Sequence, residues 1–207
     1  MFKISTSILS SDDRINCVKK LNNTATDYIH IDAMDNIFVP NYQMPVEEVN
    51  ELGKYTQKPF DIHLMVTDPE TYIDNLNITN IKAITFHLEI DKDINYLINK
   101  IKSLNYEVGL AIKPNTNLNS IDKYLYKIDK VIIMSVEPGF GGQKFLEKTV
   151  KRIKSMRNKR KDLIIEVDGG ITDENINKIK NNIDIAVIGS YITKSNNYEE
   201  TISNIKK

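Results

Sequence analysis

Three short hydrophobic segments each carry side chains that can bind a metal ion or move a proton. His30 and Asp32 lie two residues apart in "YIHIDAMD", His63 interrupts "DIHLMV", and Asp168 ends "IIEVD". Imidazole nitrogens and carboxylate oxygens are common ligands of Zn²⁺, Mn²⁺ and Fe²⁺, and carboxylates also act as general acids and bases. This chemistry requires a fold that brings the three segments together at one point.

The segment around His30 indicates how such side chains are arranged. Successive side chains of a β-strand point to opposite faces, so His30 and Asp32 share one face while Ile29 and Ile31 share the other. A charged group on a buried strand is costly unless it has a partner. Taken alone, the pair is equally consistent with a structural His–Asp hydrogen bond, and the rest of the chain must decide between the two interpretations.

Short β-branched runs alternate with amphipathic patterns along the whole chain. Segments 93–104 and 147–156 have apolar residues three and four positions apart, which predicts helices, and Asp68-Pro69-Glu70 is typical of a helix start. The eight predicted strands are FKISTSIL, DYIHIDAM, PFDIHLMV, AITFHLE, EVGLAIK, KVIIMSV, LIIEVDGG and DIAVIGS. Eight strands, each followed by a helix, predict a single-domain α/β fold, a (β/α)8 TIM barrel covering residues 1–207.

The main alternative to a barrel is a doubly wound open sheet. A dinucleotide-binding sheet of that class requires G-x-G-x-x-G after its first strand. The first turn of this chain reads SILSSDD and contains no glycine. The barrel is therefore the favoured fold.

In a barrel of this type the active site lies at the C-terminal ends of the strands. His30, Asp32, His63 and Asp168 then point to the barrel interior at about the same level, and Ser7 lies at the end of the first strand. Two histidines and two carboxylates suit one divalent metal ion per subunit (Zn²⁺, Fe²⁺, Mn²⁺ or Co²⁺), because the carboxylates balance its charge.

Four further polar residues are expected on inward faces. Asp61 and Glu166 lie one layer below the predicted site, and we expect them to pair with other groups rather than to bind metal. His87 and Glu89 share a face at the end of the fourth predicted strand. Contact with the metal ligands, contact with a substrate and a hydrogen-bonded position at the rim all remain open for this pair.

Glycines mark the ends of the last three predicted strands. They occur in EPGFGGQKF (137–145), in DGG (168–170) and in GS (189–190). Glycine lets the backbone approach an anion closely, and the loops after strands seven and eight of such barrels frequently bind phosphate. The three glycine segments together predict a phosphate site. The 137–145 segment is also long enough to act as a lid that hinges on its glycines.

The composition argues against several other classes of protein. Lys+Arg and Asp+Glu are equal at 28 each, and no end of the chain is strongly basic, so no nucleic-acid partner is expected. No apolar run approaches the ~18 residues of a membrane span, and the N-terminus lacks the pattern of a signal peptide. The one cysteine, Cys17, permits no internal disulfide and suits a reducing cytoplasm. We expect it to be a packed residue rather than a nucleophile.

Seven segments, taken in order, resemble the ribulose-phosphate 3-epimerase family. They run from Ser7 to Ser190 and read SILS, HIDAMDNIFVPN, DIHLMV, TFHLE, MSVEPGFGGQKF, EVDGG and GS. The resemblance implies a cytoplasmic, metal-dependent isomerase of the pentose phosphate pathway that is built on a (β/α)8 barrel. Its partner would be a small sugar phosphate, with neither nucleic acid nor membrane involved, and a homo-oligomer is compatible with it.

The resemblance also implies roles for individual residues. The family's metal ligands fall on His30, Asp32, His63 and Asp168, and its acid/base pair falls on Asp32 and Asp168. Its substrate contacts fall on Ser7, His63, Gly139, Phe140, Gly141, Gly142, Gly169, Gly170, Gly189 and Ser190. The implied reaction interconverts D-ribulose 5-phosphate and D-xylulose 5-phosphate through an enediolate.

The chain departs from the family pattern near its second predicted strand. Asn36 stands where the family usually has glycine, although asparagine tolerates a positive φ, and YQMPVEEV replaces the usual Gly-Pro-Pro helix start. Two other functions remain open, an allulose-6-phosphate 3-epimerase and a non-catalytic sugar-phosphate binding protein. A related barrel decarboxylase is disfavoured, because Asp32-Ala33-Met34 lacks the lysine of its Asp-x-Lys motif.

Overall fold

The computed structural model describes residues 2–207, and within them the strands form a closed barrel. The strands are β1 (Lys3–Ser7), β2 (Tyr28–Asp35), β3 (Tyr42–Gln43), β4 (Phe60–Met65), β5 (Ile81–His87), β6 (Glu107–Ile112), β7 (Lys130–Met134), β8 (Ile164–Asp168) and β9 (Ile185–Ile188). All except β3 pair in parallel, and pairing of β1 with both β9 and β2 closes the ring. The short strand β3 pairs antiparallel with β2. The predicted (β/α)8 barrel is confirmed.

Helices follow the barrel strands and cover the outside of the ring. They are α1 (Arg14–Leu21), α2 (Val46–Leu52), α3 (Pro69–Asp74), α4 (Ile94–Ser103), α5 (Lys148–Lys159), α6 (Asp173–Ile176), α7 (Ser190–Thr193) and α8 (Tyr198–Lys206). Short 3₁₀ helices cover Gly53–Tyr55 and Leu118–Tyr124. The connection after β6 is therefore a 3₁₀ helix, which differs from the α-helix expected after every strand. Within residues 2–207, the helices are all too short or too polar to cross a membrane.

The helix starts reflect local capping chemistry. The Asp93 side chain accepts hydrogen bonds from the backbone N–H groups of Asn95 and Tyr96 and so begins α4. Helix α3 begins at Pro69 as predicted, but the Asp68 carboxylate accepts from the Thr71 hydroxyl rather than from a backbone N–H.

The alternation along β2 separates two environments. Ile29 and Ile31 face outward into the apolar core shared with the helices, and both are fully buried. His30 and Asp32 face inward, as the period-two pattern predicts. The parallel pairing of β2 with β4 places Asp32 directly beside His63, so the register itself begins to assemble the site.

The turn after β2 retains its shape despite the asparagine at its tip. Asn36 adopts a φ of 61°, a region that asparagine enters more readily than most residues. The Asp35 carboxylate accepts hydrogen bonds from the backbone N–H groups of Ile37 and Phe38, at 2.9 and 2.8 Å. The tolerance expected of Asn36 is confirmed.

The cysteine of α1 belongs to the packed core. Cys17 is 2% exposed, and burial raises the pKa of its thiol. A raised pKa lowers the thiolate fraction and so disfavours Cys17 as a nucleophile. This agrees with its interpretation as a packing residue.

Candidate metal centre and active site

Four side chains from three strands converge at the C-terminal end of the barrel. Ligand atoms of His30, Asp32, His63 and Asp168 all lie within 4.8 Å of one another. The Nε2 of His30 and the Nδ1 of His63 each lie 3.5 Å from Oδ1 of Asp32. The Nδ1 of His63 lies 3.4 Å from Oδ2 of Asp168. The structure thus brings together the four residues that were predicted as metal ligands.

The geometry of this cluster fits a shared cation. His30 Nε2 and His63 Nδ1 are buried and have no hydrogen-bond partner, which is costly for a polar atom unless something else satisfies it. Ligands about 2.1 Å from a tetrahedral ion lie roughly 3.4 Å from one another, close to the separations observed here. The cluster can therefore hold a divalent metal ion.

The electrostatics of the cluster keep Asp32 ionised. Burial alone would raise the pKa of the Asp32 carboxyl, but the charges and hydrogen bonds of His30 and His63 outweigh burial and lower it well below its ordinary value. Asp32 is only 4% exposed. An ionised carboxylate at this depth can act both as a ligand and as a proton acceptor.

Ser7 fixes the orientation of the Asp32 carboxylate. Its hydroxyl donates a hydrogen bond of 2.7 Å to Oδ2 of Asp32, while Oδ1 of the same carboxylate faces the two imidazoles. Ser7 also lines the cavity above the site. It therefore belongs both to the support of Asp32 and to the surface that a ligand would meet.

His87 lies directly behind His63. The Nε2 atoms of the two rings are 3.0 Å apart, and Nδ1 of His87 lies 3.1 Å from Oε2 of Glu89. Burial lowers the pKa of His87 to about 4. Burial opposes ionisation of Glu89, but His87, the Thr116 hydroxyl and a backbone N–H lower its pKa to about 2. Contact of His87 with the predicted ligand His63 is therefore observed, and contact of either residue with a substrate stays a prediction.

A layer of buried charged side chains lies beneath the cluster. The sequence predicted two of them, Asp61 and Glu166, but not their partner Lys130. The Nζ of Lys130 donates hydrogen bonds to Asp61 and to Oε2 of Glu166, the latter at 2.5 Å. Asp61 also contacts Nδ1 of His30 at 3.1 Å. By distance, His30, Asp61 and Glu166 form a second group able to hold a metal, but the Lys130 ammonium already lies against both carboxylates.

Lys130 was missed because it begins its strand and reads as a surface residue. It is 1% exposed. Burial would lower its pKa, but Asp61 and Glu166 raise it above the ordinary value. The period-two pattern gave a signal, because Lys130 lies four residues before Met134, which faces inward. The two inward-facing acids, Asp61 and Glu166, were a second signal, because buried carboxylates require a partner.

A cavity of about 310 Å³ opens above Asp32 and Asp168. The methionines Met34, Met65 and Met134 form part of its wall. Its rim includes the predicted contacts Ser7, Gly139, Phe140, Gly141, Gly142, Gly169, Gly170, Gly189 and Ser190, together with Lys194. The three glycine segments therefore meet at one cavity, as predicted. His30 and His63 are fully buried beneath it, and contact between His63 and a substrate stays a prediction.

The glycine at position 170 is required by the approach of a second loop. Gly170 has a φ of 64°, and a Cβ there would lie 2.5 Å from the backbone nitrogen of Phe145. The 137–145 loop is also anchored on its other side, where Nδ2 of Asn41 donates a hydrogen bond of 2.8 Å to the carbonyl oxygen of Gly139. The FVPN segment and the glycine-rich loop thus form one continuous rim.

Comparison with known proteins identifies relatives along nearly the full chain. The sequence profile of the ribulose-phosphate 3 epimerase family matches residues 3–193 of this chain. Ribulose-phosphate 3-epimerase from Bacillus subtilis is 33% identical over 214 residues, covering 100% of this chain and 99% of the relative. The chloroplastic ribulose-5-phosphate-3-epimerase of Arabidopsis thaliana is 37% identical, covering 91% of this chain and 70% of the relative.

Solved structures with little sequence similarity share the fold. The crystal structure of 3-hexulose-6-phosphate synthase from Salmonella typhimurium matches with a TM-score of 0.72 at 15% identity, over 99% of this chain and 96% of that chain. Similarity at this level of identity supports the barrel architecture alone.

Proposed function

Because this chain belongs to the ribulose-phosphate 3-epimerase family and is an isomerase, we propose that it interconverts D-ribulose 5-phosphate and D-xylulose 5-phosphate by inverting the configuration at C3. The observation that carries the proposal is the placement of Asp32 and Asp168. Both carboxylates line the same cavity and both belong to one buried cluster of metal-binding side chains.

The reaction requires removal of a proton from one face of C3 and return of a proton to the other face. Asp32 lies on β2 and Asp168 on β8, separated around the ring by β1 and β9. A flat enediolate held between these strands would have one carboxylate on each side. Each aspartate acts as the base for one epimer and as the acid for the other, as a reversible reaction demands.

His30, Asp32, His63 and Asp168 would hold one divalent metal ion. When bound there, the ion supplies Lewis acidity that stabilises negative charge developing on the substrate oxygens. Zn²⁺, Fe²⁺, Mn²⁺ and Co²⁺ all accept nitrogen and carboxylate ligands. The two unpartnered imidazole nitrogens support the metal.

The glycine-rich end of the cavity would receive the substrate phosphate. Gly170 and Gly189 line this end of the cavity, and glycine lets the backbone approach an anion closely. Lys194, which is exposed and lines the cavity at the same end, adds a positive charge. The loop 137–145 would close over the bound sugar and exclude water.

Purified protein assayed with D-ribulose 5-phosphate tests the proposal. We expect epimerisation that a strong chelator abolishes and that a divalent transition metal restores. If elemental analysis shows that the protein is free of metal and it is still fully active, the proposed role of the metal ion is contradicted. A clear preference for allulose 6-phosphate would assign the alternative substrate, and binding of either sugar phosphate without turnover would indicate a binding protein.

We propose that the enzyme acts in the cytoplasm, and the buried, unpaired Cys17 is consistent with that compartment.

A further inference from the structure

A continuous chain of side chains runs from the metal cluster to the barrel rim. The Nε2 atoms of His63 and His87 lie 3.0 Å apart, and the two ring centroids lie 5.0 Å apart with an interplanar angle of 26°. The Nδ1 of His87 lies 3.1 Å from Oε2 of Glu89. Both histidines are fully buried, whereas the Glu89 side chain is 20% exposed.

Glu89 is fixed at the outer end of this chain. Its Oε1 accepts a hydrogen bond of 2.8 Å from the backbone N–H of Lys113 and another from the Thr116 hydroxyl. Its Oε2 faces His87. An ionised carboxylate accepts hydrogen bonds and donates none, so the proton between His87 and Glu89 must be carried by Nδ1 of His87.

The tautomers of both histidines follow from this constraint. A neutral imidazole has one N–H and one bare nitrogen, so a His87 protonated on Nδ1 has a bare Nε2. The bond between the two rings then needs its proton from Nε2 of His63. A neutral His63 with that proton has a bare Nδ1, and this is the atom that faces Asp32 and Asp168 without a hydrogen-bond partner.

The imidazole of His87, which lies between His63 and Glu89, is held against rotation. The ring of Phe38 packs against His87 with centroids 4.7 Å apart, and Nε2 of His63 contacts Nε2 of the same imidazole. Lys113, whose backbone N–H fixes Glu89, also places its ammonium 4.0 Å from the Phe38 ring centroid. Packing and hydrogen bonding therefore restrict His87 to one orientation.

We propose that Glu89 and His87 are positioning residues that hold His63 in the tautomer whose bare Nδ1 can bind the metal ion. The proposal depends on the proposed function, because it assumes a metal at the cluster. Neither residue belongs to the four-residue cluster, and neither lines the cavity above it. Partners of this type raise the basicity of a metal-bound histidine, and their loss typically weakens metal affinity about 10–100-fold.

Nitrogen NMR of the zinc-loaded protein tests the tautomers directly. The chain contains three histidines, so the imidazole region is simple and can be assigned with single substitutions. We expect zinc on Nδ1 of His63, a proton on its Nε2, and a proton on Nδ1 of His87. Zinc on Nε2 of His63, or a proton on Nε2 of His87, would overturn the proposal.

The Glu89→Gln variant tests the consequence for metal binding. A glutamine has one acceptor oxygen and one donor NH₂ group. If its oxygen stays with Lys113 and Thr116, its NH₂ faces His87 Nδ1, which then has to be bare. The proton moves to Nε2 of His87, and His63 must carry its own proton on Nδ1. We expect zinc affinity, measured by competition with a chromophoric chelator, to fall about 10–100-fold.

Glu107→Gln is the matched control, because Glu107 pairs with Lys82 at the opposite end of the barrel. It should leave zinc affinity unchanged. Equal affinities for Glu89→Gln, Glu107→Gln and wild type would contradict the proposal. If Glu89→Gln does not fold, the wild-type spectrum decides. If the wild-type protein binds no zinc, the proposed metal centre itself is contradicted. The tautomer of His87 measured in that zinc-free sample then still tests the hydrogen bonds from Glu89 through His87 to His63.

Discussion

The Oγ of Ser7 lies 2.7 Å from Oδ2 of Asp32 and donates a hydrogen bond to it. This contact joins the end of β1 to the residue proposed as an acid/base group, and it holds the carboxylate with its other oxygen toward His30 and His63. Hydrogen bonds to charged groups typically contribute about 1.5–3 kcal/mol. Ser7 is therefore expected to matter for the reaction as well as for binding.

Ser7→Ala tests this role. We expect kcat to fall roughly 10–100-fold, because Asp32 loses the donor that orients it, while the metal content stays near that of wild type. Steady-state kinetics and elemental analysis measure both quantities. A change in KM alone would show that Ser7 acts only as a substrate contact.

Lys194→Met tests the phosphate end of the cavity. The lysine is exposed, so solvent screens its charge, and we expect only about a two- to tenfold rise in KM and in the inhibition constant of inorganic phosphate. The matched control is Lys161→Met, which removes another exposed lysine from the loop before β8, at the other end of the barrel. Identical values for both variants would place the phosphate elsewhere.

Lys130→Met tests the charged layer beneath the site. Removing one partner of a buried ion pair costs about 3–5 kcal/mol, because the remaining charges are left without compensation. We therefore expect urea unfolding to show a loss of that size, and neutralising Asp61 and Glu166 in the same protein should recover part of it. Lys127→Met is the control, since Lys127 is exposed and its ammonium donates a hydrogen bond to Asn95. Equal stability of the two lysine variants would contradict this role.

The pKa of His87 gives a pH dependence with a defined sign. Burial lowers that pKa to about 4, whereas an imidazole in the unfolded chain has a pKa of about 6.5. Between these values the unfolded chain binds more protons than the folded protein, so the contribution of His87 to stability is present above pH ~6.5 and is lost as the pH falls toward 4.

An NMR titration of the His87 ring measures this directly. We expect a midpoint near 4, well below that of an exposed imidazole. A midpoint near 6.5 would show that the buried position does not hold His87 neutral.

The sequence predicted the barrel and the inward-facing ligands because both depend on local periodicity. The alternation of Ile29, His30, Ile31 and Asp32 assigns the faces of β2 without knowledge of any other strand. The glycine segments likewise follow strand ends that can be recognised one at a time. Features that repeat along a single strand or helix can therefore be predicted from the sequence before the fold is known.

The contact between His63 and His87 could not be predicted in this way. It depends on the register of β4 against β5, which shifts between Phe60 and Asp61 and pairs His63 with Thr85. A shift of one residue would turn His87 to the opposite face of its strand. Contacts that depend on register between strands are decided by packing over the whole barrel, and the sequence gives no local signal for them.

The most direct test of the two-carboxylate mechanism is the fate of the C3 hydrogen in heavy water. A proton that passes through Asp32 or Asp168 exchanges with solvent, so wild-type enzyme should place deuterium at C3 of the pentulose phosphate product. Asp32→Asn and Asp168→Asn should each fold, bind substrate and lose about 10²–10⁴-fold in kcat, because an amide cannot accept the proton. Epimerisation by wild type with no deuterium at C3 would contradict the account, since the original hydrogen would then have been retained.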